Sequence, residues 1–135
     1  MRVKHVNEVE SEPVKSGNMT TIQVLISSQE GPNFAMRRFV IQRGGGMPRH
    51  TNTVEHEQYV LKGHASVGIN NQTYQVKAGD VVFIPEGAPH WYQNNGDGDF
   101  EFLCVIPNKT DDLRISNGDK ECYRKGEANR LSFFV

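Results

Sequence analysis

The chain has 135 residues, a net charge of −1 and 36% hydrophobic residues, the size and apolar content of one folded domain rather than of a disordered polymer. No apolar stretch approaches the ~20 residues a membrane helix needs, and the balanced charge leaves no basic field to follow a phosphate backbone, so neither a membrane nor a nucleic acid is an expected partner. Val plus Ile number 21 against 10 Ala plus Leu, a composition that suits pleated surfaces better than helices.

In chain order, Val3–Val9 is a candidate first strand. Thr21–Ile26 follows, closed by Gln29-Glu30-Gly31-Pro32-Asn33. Phe34–Gln42 ends at Gly44-Gly45-Gly46, and Glu55–Lys62 ends at Gly63. Ala65–Ile69 and Gln72–Val76 flank Asn70-Asn71, a pair that tolerates the positive φ of a tight hairpin. Lys77-Ala78-Gly79-Asp80 turns into Val81–Ile84, which Pro85 stops; His90–Gln93 and Phe100–Ile106 complete the series before Pro107. Short alternating segments with frequent turns predict an all-β sandwich or barrel over residues 20–107. Residues 1–19 form an N-terminal strand or arm. Residues 108–135 form a tail, polar and loop-like over 108–130 and apolar again at Leu131–Val135. The N-terminus has no apolar h-region, and Cys104 and Cys122, with no CxxC partner, read as free thiols of a cytoplasmic protein.

Histidine carries the chemistry. His50 and His56 lie six apart with Asn52 between them, and an even spacing puts all three on one face of a regular strand. His90 enters a strand just after a turn. Imidazoles brought together from two strands inside a barrel make a site for a first-row transition metal. His5 and His64 show no such grouping.

Gly79-x5-Pro85-x-Gly87-x2-His90-x3-Asn94 matches the second cupin motif at every fixed position. Gly44-x5-His50-x-Asn52-x3-His56-x6-Gly63 keeps the frame of the first motif, with Asn52 in place of its second His and His56 in place of its Glu. The chain therefore resembles the cupin superfamily, and within it the small single-domain manganese-binding cupins that use four histidines. The resemblance implies a double-stranded β-helix, or jelly-roll, barrel. It also implies a divalent transition metal (Mn, Fe or Zn) on His50, His56 and His90, with Asn52 at the fourth ligand position. Glu57 competes with His56 for the acid position if the looser spacing is taken; His56 keeps the parity with His50.

By the same resemblance the face carrying Phe102 and Cys104 looks toward the metal. Arg37 and Arg38 are adjacent, so one of them faces inward; Arg38 is assigned to the pocket wall, either paired with an acid such as Glu57 or clamping a carboxylate substrate. The expected function is a metal-dependent enzyme of the dioxygenase type acting on a small molecule. The alternative is a cupin module that binds a metal or small molecule without turnover. The expected assembly is a homodimer.

Overall fold

A computed structural model of the chain describes residues 2–117 and 120–123, with side chains over 2–115. Among the described residues there are eleven strands and no α-helix: β1 Glu12–Pro13, β2 Asn18–Ile26, β3 Phe34–Thr51, β4 His56–Lys62, β5 His64–Ile69, β6 Gln72–Lys77, β7 Val81–Ile84, β8 His90–Gln93, β9 Phe100–Pro107, β10 Arg114–Asn117 and β11 Lys120–Tyr123. All pairings are antiparallel, in the order β6-β5-β8-β3-β9-β4-β7, with β2 and β10 also on β3. None of the described helical segments is long and apolar enough to cross a membrane.

β3 organises the barrel. It runs through the three glycines expected to end it. Its first half, from Phe34 to Ile41, pairs with β2 and β9; its second half pairs with β8 and β10. Gly44 makes the corner at φ +83°, a conformation costly for any residue with a Cβ. Gly46 passes so close to the Tyr92 carbonyl that a methyl group there would collide with it. The glycines that look like punctuation are the bend that lets one strand serve both ends of the barrel.

Alternation along β3 and β9 sends Phe39, Ile41, Phe100, Phe102, Cys104 and Ile106 inward. Phe102 stacks on Phe39 at 5.1 Å and on Tyr92 at 5.2 Å between ring centroids, closing the floor of the barrel. Burying one such aromatic ring contributes roughly 1.5–3 kcal/mol.

Two further expected elements differ. Val3–Val9 is not a strand but an arm with a single 3₁₀ turn at Val6–Glu8. His5 caps that turn: its Nδ1 accepts from the Asn7 N–H, while the Glu8 carboxylate accepts from the His5 N–H. The arm's carbonyls at Val6 and Val9 are taken by the Gln23 amide, which removes the need for a strand partner. Residues 108–117 are not loose, because Arg114 and Ile115 pair with Thr51 and His50 at the end of β3. Leu131–Val135 lies outside the described residues, as does the side chain of Cys122.

Candidate metal and ligand site

The register of β3 on β8 sets His50 directly opposite His90. Their rings lie 4.1 Å apart between centroids, and His56, from the start of β4, stands 5.5 Å from His90. All three are buried. His50 Nδ1 meets the Pro48 carbonyl at 2.7 Å and His90 Nδ1 meets the Ala88 carbonyl at 2.9 Å. A carbonyl only accepts, so each Nδ1 carries the proton and each Nε2 keeps its lone pair. His56 Nδ1 lies 3.3 Å from Cys104 Sγ. Nε2 of His56 and Nε2 of His90 are buried without a hydrogen-bond partner.

Burial holds all three imidazoles below the usual histidine range, so they are neutral donors near pH 7. The nearby Arg37 cation adds to the effect at His56, and the neighbouring His50 adds to it at His90.

Asn52 follows β3 and shares the pocket. Its Nδ2 donates to Asp111 Oδ2 at 2.9 Å, and its Oδ1 is buried and unpartnered. Asp111 also accepts from the Thr53 N–H at 2.9 Å. Its pKa is raised by burial, against the opposing pull of these hydrogen bonds and of Arg37. Among the described residues no three His, Cys, Asp or Glu side chains stand close enough together to hold a metal ion. The histidines are spaced as neighbouring rings rather than as a closed shell. The lone-pair atoms that lack partners there are two imidazole nitrogens and an amide oxygen, a mixed donor set.

The cavity they face offers about 50 Å³ to the centres of water-sized molecules, room for a few waters. Its wall is largely apolar, with Phe39, Met47, Tyr92, Phe102 and Leu113 among the lining residues. Gln58 Nε2 donates to the Tyr92 hydroxyl at 2.7 Å, and burial pushes the Tyr92 phenol up.

The expected pocket residues divide. Phe102 lines the cavity. Cys104 is fully buried behind it, touching Arg37, His56 and Gln58 through its sulfur. Arg38 is a correction: it turns to the other face of β3, donating to Gln23 Oε1 and pairing with Glu101, both at 2.5 Å. The inward arginine is Arg37, in step with the buried Phe39 and Ile41. That parity was readable in the sequence. Glu57 points outward from β4, which leaves His56 as the inward residue at that end. Asp111 was missed, and nothing local marks it; it lies 59 positions from Asn52.

The remaining motif residues hold the backbone. Gly79 and Gly87 take φ of +94° and +78° in the turns around β7. The Gly87 N–H donates to the Asn52 carbonyl at 2.7 Å, tying the two motifs together. Asn94 Nδ2 donates to the carbonyls of Ile41 and Gly98, and its Oδ1 accepts from the Gly96 N–H, so it clamps the following loop to β3.

Comparison with known proteins agrees with this geometry. Residues 37–106 match the Cupin domain family. The chain is 36% identical over 70 residues to an oxalate-binding protein of Thermotoga maritima, covering 51% of this chain and 58% of that protein. It is 35% identical over 52 residues to an uncharacterized protein of Methanocaldococcus jannaschii, covering 38% of this chain and 42% of that one. The match thus spans about half the length of these curated relatives. Among solved structures, the polyketide cyclase RemF from Streptomyces resistomycificus superposes with a TM-score of 0.81 at 27% identity, covering 98% of both chains. A predicted oxalate decarboxylase from Thermotoga maritima superposes with a TM-score of 0.71 at 26% identity, covering 78% of this chain and 97% of that one. With two interlocking histidine motifs on an antiparallel barrel, and a family match over more than half its length, the chain belongs to the cupin family.

Proposed function

We propose that His50, His56 and His90, drawn closer together than they stand here, hold a divalent transition metal (Mn, Fe or Zn) with the Asn52 amide oxygen as a fourth donor, and that the barrel uses it to act on a small molecule. The observation that carries this is the set of unpartnered buried atoms: Nε2 of His56, Nε2 of His90 and Oδ1 of Asn52. Each buried polar group left unsatisfied costs about 1–3 kcal/mol, and three facing one cavity mark a place for an electron-pair acceptor. Every donor in the set is neutral, so the ion would keep its full positive charge. That favours polarising a ligand oxygen as a Lewis acid over the oxygen-consuming chemistry that the motifs suggest.

This chain's residues would do the rest. Pro48 and Ala88 fix the tautomers of His50 and His90 through their carbonyls. Asp111 turns the Asn52 oxygen away from itself by accepting from the amide nitrogen. The apolar wall limits water around the ligand. The likeness to RemF, a polyketide cyclase, is compatible with chemistry on a small organic molecule.

A specific observation favours the alternative, binding without turnover. The carboxylate facing the cavity, Asp111, is already engaged by Asn52 and Thr53, which leaves it poorly placed as a general base.

Elemental analysis of protein purified without chelator tests the metal, with about one ion per chain expected and loss of it in His90→Ala. Oxygen uptake after Fe(II) loading separates the chemistries: none is expected, and sustained uptake would restore the dioxygenase reading. Pairing of two copies is part of the same proposal. Tyr59, Leu61, Val81 and Phe83 form an exposed apolar strip on the outside of β4 and β7, a surface of the kind association covers.

A further inference from the structure

The cavity contains a cation to which no carboxylate is bonded. Arg37 is 5% exposed, projecting from β3 into the same cavity as the histidines. Its Nη2 donates to Cys104 Sγ at 3.1 Å, and its guanidinium carbon lies 5.0 Å from the centre of the Phe39 ring. Its Nε is buried with no partner. No carboxylate among the described residues forms an ion pair with it. Asp111 faces the cavity too, but its oxygens are held by Asn52 Nδ2, the Thr53 N–H and the Thr53 hydroxyl.

A guanidinium is a permanent cation whose N–H groups suit the two oxygens of a carboxylate. Burying one with no carboxylate bonded to it is costly, and the Asp111 carboxylate across the cavity offsets that only at a distance. Arg38, next to it, is bonded to Glu101 and Gln23, whereas no acid is bonded to Arg37.

We propose that Arg37 is the specificity-determining residue of this cavity and that its ligand is a small organic carboxylate, held at the Arg37 Nε edge with its body against Phe39 and Phe102. This names the ligand class for the pocket and rests on the reading of that pocket as the functional site. The ligand is small because the cavity holds only a few waters. A carboxylate there would have its charge answered by Arg37, while its other oxygen would be available to an ion held by the three lone-pair donors.

The test titrates formate and acetate, against formamide and acetamide, into wild type and Arg37→Gln, with metal content measured on the same samples. Calorimetry or NMR shifts give the affinities. In wild type, each carboxylate should bind more than about tenfold more tightly than its amide. Arg37→Gln should lose more than about tenfold in carboxylate affinity while retaining its metal. Equal binding of acetate and acetamide by wild type overturns the proposal without needing the variant to fold. So does undiminished acetate binding by Arg37→Gln, and so does the absence of any carboxylate affinity in wild type. If no metal is found, the same titrations on metal-free protein decide: Arg37-dependent carboxylate binding upholds this proposal while the metal assignment falls.

Discussion

Asn52 and Asp111 form a buried pair in which the amide nitrogen donates to the carboxylate at 2.9 Å, leaving the amide oxygen unpartnered in the cavity. The pair distinguishes the two ends of an amide. A carboxylate accepts and cannot donate when ionised, so it selects the nitrogen and presents the oxygen as the free donor.

Removing Asp111 should therefore act through Asn52. Asp111→Ala is expected to weaken metal binding by no more than Asn52→Ala does, since it acts only by aiming the Asn52 oxygen. Asn52→Ala should weaken it several-fold, and Asn52→His should tighten it by adding an imidazole. Competition with a chromophoric chelator measures all three. Equal affinities for wild type and Asp111→Ala would show that the pair does not aim the oxygen.

The histidines should be far less tolerant. His50→Ala or His90→Ala should abolish retention of metal through gel filtration, because two imidazoles seldom hold a labile divalent ion. Loss in Asn52→Ala as complete as in His50→Ala would make Asn52 an indispensable ligand.

Acid should destabilise the metal-free protein. The folded pKa values of His50, His56 and His90 are all lowered by burial, so below pH 6.5 the unfolded chain binds protons that the folded one refuses. Stability is thus fully present above about pH 6.5 and is lost as pH falls toward the folded values, by up to ~1.4 kcal/mol per pH unit for each such histidine. Thermal melts of metal-free protein between pH 7.5 and 5 should show the decline. His90→Asn, which cannot titrate, should flatten it.

Arg38 should matter for the arm and not for the site. It holds the Gln23 oxygen, while the Gln23 nitrogen holds the carbonyls of Val6 and Val9. Gln23→Ala is expected to cost about 1–3 kcal/mol and to speed hydrogen exchange over residues 6–9, with metal content unchanged. A loss of metal would tie the arm to the site.

The outer strip gives a separate test. Phe83 is 54% exposed and Val81 75% exposed on β7. A Val81→Lys, Phe83→Glu double variant should sediment as a monomer where wild type sediments as a dimer, with the barrel's melting little changed. A monomeric wild type at high micromolar concentration removes the dimer.

Much of the barrel was legible in the sequence because its signals are local. Positive φ at Gly79 and Gly87, the stop at Pro85 and the two-residue period of β4 and β9 each involve neighbours in the chain. Spacing marked His50, Asn52 and His56 as a group and set His90 at a strand entrance, but the strand breaks between Thr51 and His56, so the three meet across a bend rather than by parity on one regular strand. Parity marked Arg37 as inward through Phe39 and Ile41, but the adjacent Arg38 offered the same chemistry and the sequence shows no partner for either.

Tertiary structure decided the rest. That β3 continues through its three glycines depends on β8 and β10 waiting on the far side. Arg38 belongs outside because Glu101 and Gln23 lie there. Asp111 reaches Asn52 because β10 returns to pair beside His50. Such contacts join residues tens of positions apart, and no backbone preference carries that information along the chain. Sheet register does, and register is set only when the whole barrel closes.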